Sequence, residues 1–231
     1  NDTITAGAGN DTITGGAGND TINFTTDGDI TKNDSVDGGD GTDTVDIDTD
    51  SSLTGASKVT LTNVENVTLE ASNNGGAFAT FDTSGISSLT RITLSADSDD
   101  AAYSITNLPD AAQVKFSAEA TTTAVTIDTA GTEVTLLASG DTTTTPTVSD
   151  AVTVNITAGT AASNDLVALV LDDDDTTTLT LTGSTTDSKI ASTGNITGTN
   201  VLESITATTT NSGATIVVGT VADTDSLTSV S

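Results

Sequence analysis

Aliphatic and polar residues alternate with a period of two along most of this chain. The run Val152-Thr153-Val154-Asn155-Ile156-Thr157 is the clearest instance, and Arg91–Leu94, Ala124–Ile127 and Thr178–Thr182 repeat it. A period of two puts the aliphatic side chains on one face of an extended strand and the Thr residues on the other. Such runs recur roughly every 10–14 residues, divided by Gly, Asn, Asp and Ser, and no segment shows a helical period. The 53 Thr residues point the same way, because a β-branched side chain packs well on a pleated strand. The pattern predicts an all-β chain. From residue 50 onward it predicts a Thr-rich β-solenoid or a stacked β-sandwich.

The first 46 residues carry a stricter repeat. Residues 6–14 read AGAGNDTIT, residues 15–23 GGAGNDTIN and residues 38–46 GGDGTDTVD; residues 1–5 are the end of a preceding copy and residues 29–37 a weaker one. The template is G-G-x-G-x-D-x-U-x, with U aliphatic. Its sixth position holds Asp2, Asp11, Asp20, Asp34 and Asp43, and its eighth Ile4, Ile13, Ile22, Val36 and Val45. Residues Phe24 to Gly28 read as an insert. The triplet after each Asp predicts a short strand with one aliphatic side chain inward and its neighbours outward. Two nonapeptides then make one coil of a parallel β-roll, so turns on one edge recur with every second repeat. Asp20 should lie next to Asp2 and, across the insert, next to Asp43. Asp11 should lie next to Asp34 on the opposite edge.

This spacing has a chemical consequence. Glycines permit tight turns that direct main-chain carbonyls to a common point, and each Asp adds a hard anionic oxygen. Carbonyl and carboxylate oxygens without nitrogen or sulfur suit Ca²⁺ rather than zinc or copper. Stacked Asp residues with no ion between them would repel. The candidate ligands are Asp2, Asp11, Asp20, Asp34 and Asp43 with Gly7, Gly9, Gly16, Gly18, Gly39 and Gly41. Asp27, Asp29, Asp37 and Asp40 lie close enough in sequence to complete a coordination shell. The run Asp172–Asp175 reads as a solvated loop or a further calcium site, and Asp97, Asp99 and Asp100 as a solvated loop.

Composition narrows the function. Lys and Arg number 5 against 33 Asp and Glu, a formal charge of -28, so the surface should repel phosphates and attract cations. Nucleic acid and anionic membranes are therefore not expected partners, and no apolar run is long enough to span a bilayer. With no His and no Cys, Ser-His-Asp catalysis, thiol chemistry and zinc sites of the usual kinds are excluded. One Tyr and no Trp leave little with which to line a sugar-binding cleft, so an enzyme is not expected. Leu, Ile, Val and Phe total 51 of 231 residues, a thin supply for a core; several bound Ca²⁺ ions would supplement it.

The nonapeptides resemble those of the RTX family of secreted calcium-binding proteins. The succession GGDGTDTV, LTNVENVTL, SSLTRITLSA, TTTLTLTGS, NVLESITAT is similar to the long β-rich segment of RTX-class surface-layer proteins of Gram-negative bacteria. Within it, Asn63–Thr68 is echoed by Asn200–Thr206, and Ser88–Thr93 by Ser226–Ser231. The resemblance implies type I secretion, an extracellular cell-surface location and self-assembly, partly through calcium, into a lattice. Cell-surface polysaccharide could be met by regions outside this chain. A spacer or binding segment of a large RTX adhesin is the alternative. Two regions are expected, 1–49 as the calcium-binding β-roll and 50–231 as the Thr-rich part, with a further division near 120 as an option. The opening within a repeat suggests a piece of a longer protein.

Overall fold

The computed structural model describes residues 1–26, 28–48, 58–70, 78–95, 102–117, 124–138, 145–158, 164–166, 168–172, 175–183, 188–197, 201–210, 216–222 and 227–231. Among these residues there are strands and turns and no helix, hence none long and apolar enough to cross a membrane. The longest sheet holds β1 (Thr3–Ala6), β3 (Thr21–Phe24), β5 (Thr44–Asp48), β7 (Asn66–Glu70), β9 (Arg91–Ser95) and β11 (Gln113–Phe116). It continues through β13 (Glu133–Ala138), β15 (Thr153–Ala158), β18 (Thr178–Gly183), β20 (Ser204–Thr209) and β22 (Ser229–Val230). Every pairing in it is parallel.

The intervening strands form two shorter parallel sheets. The first is β2 (Thr12–Ala17), β4 (Ser35–Asp40) and β6 (Thr60–Thr62). The second begins at β8 (Phe78–Asp82) and passes through β10 (Ala102–Leu108), β12 (Ala124–Thr129), β14 (Pro146–Ser149), β17 (Leu169–Leu171) and β19 (Ser188–Thr197). Strand β19 also pairs with β16 (Asn164–Leu166) and β21 (Ile216–Val221). The chain thus passes alternately between the long sheet and a shorter one, coil after coil. This is a β-solenoid, and β5 pairs with β7 across residue 50, so the solenoid form of the second region is the one observed.

The register makes the core a set of ladders. Ile4, Ile22, Val45, Val67, Ile92, Val114, Leu136, Ile156 and Leu181 stand in one line along the long sheet. Ala6, Phe24, Ile47, Leu69, Leu94, Phe116, Ala138 and Ala158 stand in the next. From Ile22 to Leu181 the first line is fully buried. Each strand needs only two or three inward apolar side chains, which is how so few large ones suffice. Burying each contributes roughly 1.5–3 kcal/mol.

Three sequence expectations are adjusted here. Phe24 belongs to β3, buried at 1% exposure, because it has the same inward parity as Ile22; the insert therefore follows it. In β3 and β5 a second inward residue, Phe24 or Ile47, joins the one expected. Val152 lies outside β15 and is 41% exposed, because the chain is still turning at that point.

Candidate metal centre

The roll stacks its turns as the spacing requires. Thr3 pairs with Thr21, and Thr21 with Thr44 across the insert. On the opposite side Thr12 pairs with Ser35, again across the insert. Between neighbouring turns the Asp residues act as a ladder. Asp20 Oδ1 accepts the amide of Asp2 at 2.6 Å, Asp43 Oδ1 that of Asp20 at 2.7 Å, and Asp34 Oδ1 that of Asp11 at 2.7 Å. Beside them runs an Asn ladder: Asn1 Oδ1 accepts from the Asn19 amide at 2.6 Å, and Asn19 Oδ1 from the Thr42 amide at 3.1 Å.

Three carboxylate oxygens of these turns are left over. Oδ2 of Asp11, Asp20 and Asp43 is buried without a hydrogen-bond partner. Asp20 and Asp43 are themselves 1% and 0% exposed. A main-chain carbonyl from the next turn and each of these two oxygens flank the same glycine. A Cβ on Gly15 would collide with Gly38 O and stand 2.7 Å from Asp20 Oδ2; one on Gly38 would collide with Asn63 O and stand 2.6 Å from Asp43 Oδ2. Only glycine leaves room for both oxygens at that position.

A buried carboxylate with only one of its oxygens hydrogen-bonded is costly when ionised, and a carbonyl oxygen beside the same glycine brings no positive charge to offset it. A hard cation reverses the sign. Carboxylate and carbonyl oxygens gathered at adjacent bends are a donor set for Ca²⁺, which accepts 6–8 oxygens in a flexible shell. Among the described residues no three acidic side chains gather at one point, so the shell would be built mainly from carbonyls with the orphaned Oδ2 atoms. The residues present fit the ion.

The other candidates are placed differently. Asp34 Oδ2 accepts the Thr31 amide of its own turn, so this weaker copy satisfies its carboxylate internally. Asp2 is exposed, and its carbonyl accepts the Thr21 amide at 2.9 Å. Asp37 Oδ1 accepts from Asn63 Nδ2 at 2.8 Å; Asp40 is exposed and its carbonyl accepts the Gly18 amide. The Asp29 amide closes a turn onto Thr26 O. Around Gly7 and Gly9 there is open space, whereas the carbonyls of Gly16 and Gly18 would collide with a Cβ on Gly39 and Gly41. Gly15, Gly38, Asn63 and Glu65 were not among the sequence candidates. The first two occupy the first template position, and that was the signal available for them. Asp27, Asp97, Asp99, Asp100, Asp173 and Asp174 lie outside the described residues, while the Asp172 amide donates to Val148 O at 2.9 Å.

The roll ends at Glu65. Its Oε2 accepts the Asp43 amide at 2.8 Å, taking the role the next Asp would have. Its carbonyl accepts two amides of the following coil, from Thr90 at 2.8 Å and Arg91 at 3.0 Å. The Glu203 carbonyl does the same for Thr228 at 2.9 Å and Ser229 at 3.3 Å, as other carbonyls along this edge do for their own following coils.

No curated protein and no solved structure matches this chain. The family model of the RTX calcium-binding nonapeptide repeat, in 4 copies, matches residues 1–30 and 31–50. RTX repeats are generally structural units, typically of secreted proteins. The match covers the turns in which the orphaned carboxylates lie, so the N-terminal coils of this solenoid are an RTX calcium-binding β-roll, with sites for several Ca²⁺ ions.

Proposed function

We propose that this chain is a calcium-switched structural module of an extracellular bacterial surface array, with a second copy of the chain as its partner. The observation that supports it most is the set of buried, unpartnered Oδ2 atoms of Asp11, Asp20 and Asp43 in a chain of net charge -28. Such a roll is a poor structure without cations and a good one with them. Extracellular calcium modules bind with dissociation constants of about 10⁻⁴–10⁻³ M. At millimolar calcium a 10⁻⁴ M site adds about 1.4 kcal/mol, and several sites together rival the stability of a small domain. At cytosolic calcium that contribution vanishes, which suits a Gram-negative surface-layer protein exported unfolded by type I secretion. The excess acidic charge would also draw calcium between copies.

A calcium titration with a chelator control tests the switch, followed by circular dichroism and light scattering. Folding and reversible association that track free calcium support the reading; indifference to calcium overturns it. Imaging of the assembled material decides the rest: a regular sheet supports a surface layer, and isolated rods would assign the module to an adhesin stalk instead.

A further inference from the structure

We propose that a calcium ion also sits at the seam between the roll and the first coil beyond it, held by Asp43 Oδ2 and the main-chain carbonyl of Asn63. This rests on the reading that the repeats bind calcium, but Asn63 lies outside the matched residues 1–50, in a turn with no glycine. The register that pairs Asp37 with Thr62 continues to set Asn63 beside Gly38, as Gly38 is set beside Gly15. The bend Gly38–Asp43 has shortened to the bend Asn63–Glu65, yet it still offers a carbonyl to the column.

The bend is held from both sides. Asn63 adopts a φ of +49°, a conformation Asn tolerates, and its Nδ2 is anchored on Asp37 Oδ1 at 2.8 Å. From the following coil, Ser88 Oγ accepts the Val64 amide and donates to Val64 O, both at 2.9 Å. Glu65 O accepts from Thr90 and Arg91. Val64 O and Glu65 O are thus turned to the following coil, while Asn63 O and Asp43 Oδ2 both lie within 2.6 Å of the point where a Cβ on Gly38 would stand. Asp43, 0% exposed, faces it with an oxygen that has no hydrogen bond. Glu65 adds a second carboxylate at the seam, its Oε2 on the Asp43 amide. An ion here makes coil 58–70, which carries no repeat, calcium-dependent, and so couples the roll to the Thr-rich solenoid.

Isothermal calorimetry and hydrogen exchange on the whole chain test this, using calcium alone as ligand. Asp43→Asn keeps an acceptor for the Asp20 amide while removing the charge; it should lower the stoichiometry by about one ion per chain. It should also abolish calcium-induced protection at Thr60–Thr62 and Asn66–Glu70. Asn63→Val, a β-branched residue at positive φ, should displace the carbonyl and do the same, whereas Asn63→Gly keeps the bend and should retain binding. The Asn63 pair decides the question if Asp43→Asn does not fold. Binding by the wild type with unchanged stoichiometry and protection in Asp43→Asn and Asn63→Val overturns the seam site alone. No calcium binding by the wild type overturns the reading of the whole roll, and the seam with it.

Discussion

On the edge of the solenoid where Glu65 lies, main-chain carbonyls join turn to turn in both regions, as Asp2 O, Asp20 O and Asp43 O do for Thr21, Thr44 and Asn66, but only the roll adds a column of carboxylates. In the roll the carboxylates of Asp20, Asp43 and Glu65 each receive one amide from the preceding coil, and both Asp residues keep a buried oxygen idle. Farther along, the turns are joined by main-chain carbonyls that each accept two amides of the following coil. Thr132 O accepts from Val152 and Thr153, Val152 O from Thr177 and Thr178, and Thr177 O from Glu203 and Ser204. Asp110 is the nearest thing to a roll residue in that region. Its Oδ1 takes the amides of Thr132 and Glu133 at 2.8 and 2.9 Å, and these hydrogen bonds hold its carboxyl below the usual range. A neutral carbonyl bonded twice satisfies both partners, whereas a carboxylate bonded once and walled in asks for positive charge. The demand for calcium is therefore a property of the turns, not of the solenoid.

Chelation should separate the two regions most sharply. With EDTA, amides of β1 to β5 should lose protection against hydrogen exchange while those of β11 to β20 keep most of theirs. Equal loss in both would mean that the carbonyl ladder does not stand by itself. The converse lesion lies in the core beyond the roll. Ile156 is fully buried, in line with Leu136 and Leu181, so Ile156→Ala should destabilise by roughly 2–5 kcal/mol. Thermal melts should show that loss with and without calcium alike; a loss seen only with calcium would contradict the division.

Glycines sharpen the contrast within the roll. A side chain on Gly38 would meet Asn63 O and Asp43 Oδ2, so Gly38→Ala should destabilise the calcium-bound form by about 1–3 kcal/mol and weaken binding. Gly7→Ala, with nothing within 4 Å and no positive φ, should leave the melt and the calcium isotherm nearly unchanged. Equal effects would mean that the crowding at Gly38 is not tied to an ion.

Much of this was legible in the chain. The sixth-position Asp residues gave the edges and the step from each turn to its neighbour, because a period-two strand between fixed bends leaves little freedom. The alternation gave the inward ladders. What stayed hidden depends on contacts between distant coils. That Asp34 would satisfy itself on Thr31 while Asp20 would not is decided by the shape of the insert. That Glu65 would close the carboxylate column depends on the shortening of its bend. Whether the Thr-rich half formed a sandwich or a solenoid was undecided, since both need the same alternation; only the register of β5 on β7 separates them.

The smallest effect lies on the other sheet, at the end of β12. Burial, a hydrogen bond with Asp150 and the charge of Asp150 push the Asp128 carboxyl above the usual range, against an opposing amide bond from Asn107. A carboxyl whose pKa is raised by folding favours the folded state at pH below the unfolded value, and that advantage is lost as pH rises through the folded value. Asp82 works in the opposite sense. Burial opposes its ionisation, but bonds from Ser84 and Asn107 and the Lys58 ammonium at 3.5 Å outweigh it. Its contribution is present above the ordinary carboxylate value and disappears as pH falls through its lowered pKa. Replacing Asp150 by Asn should remove the repulsion at neutral pH and raise stability by a few tenths to about 1 kcal/mol, the range of exposed pairs. The gain should shrink as the solution is acidified and Asp128 takes up its proton. Melting temperatures across the acidic range up to neutrality would read it; a gain independent of pH would mean that the pair is already neutralised, and a loss would mean that it holds a cation.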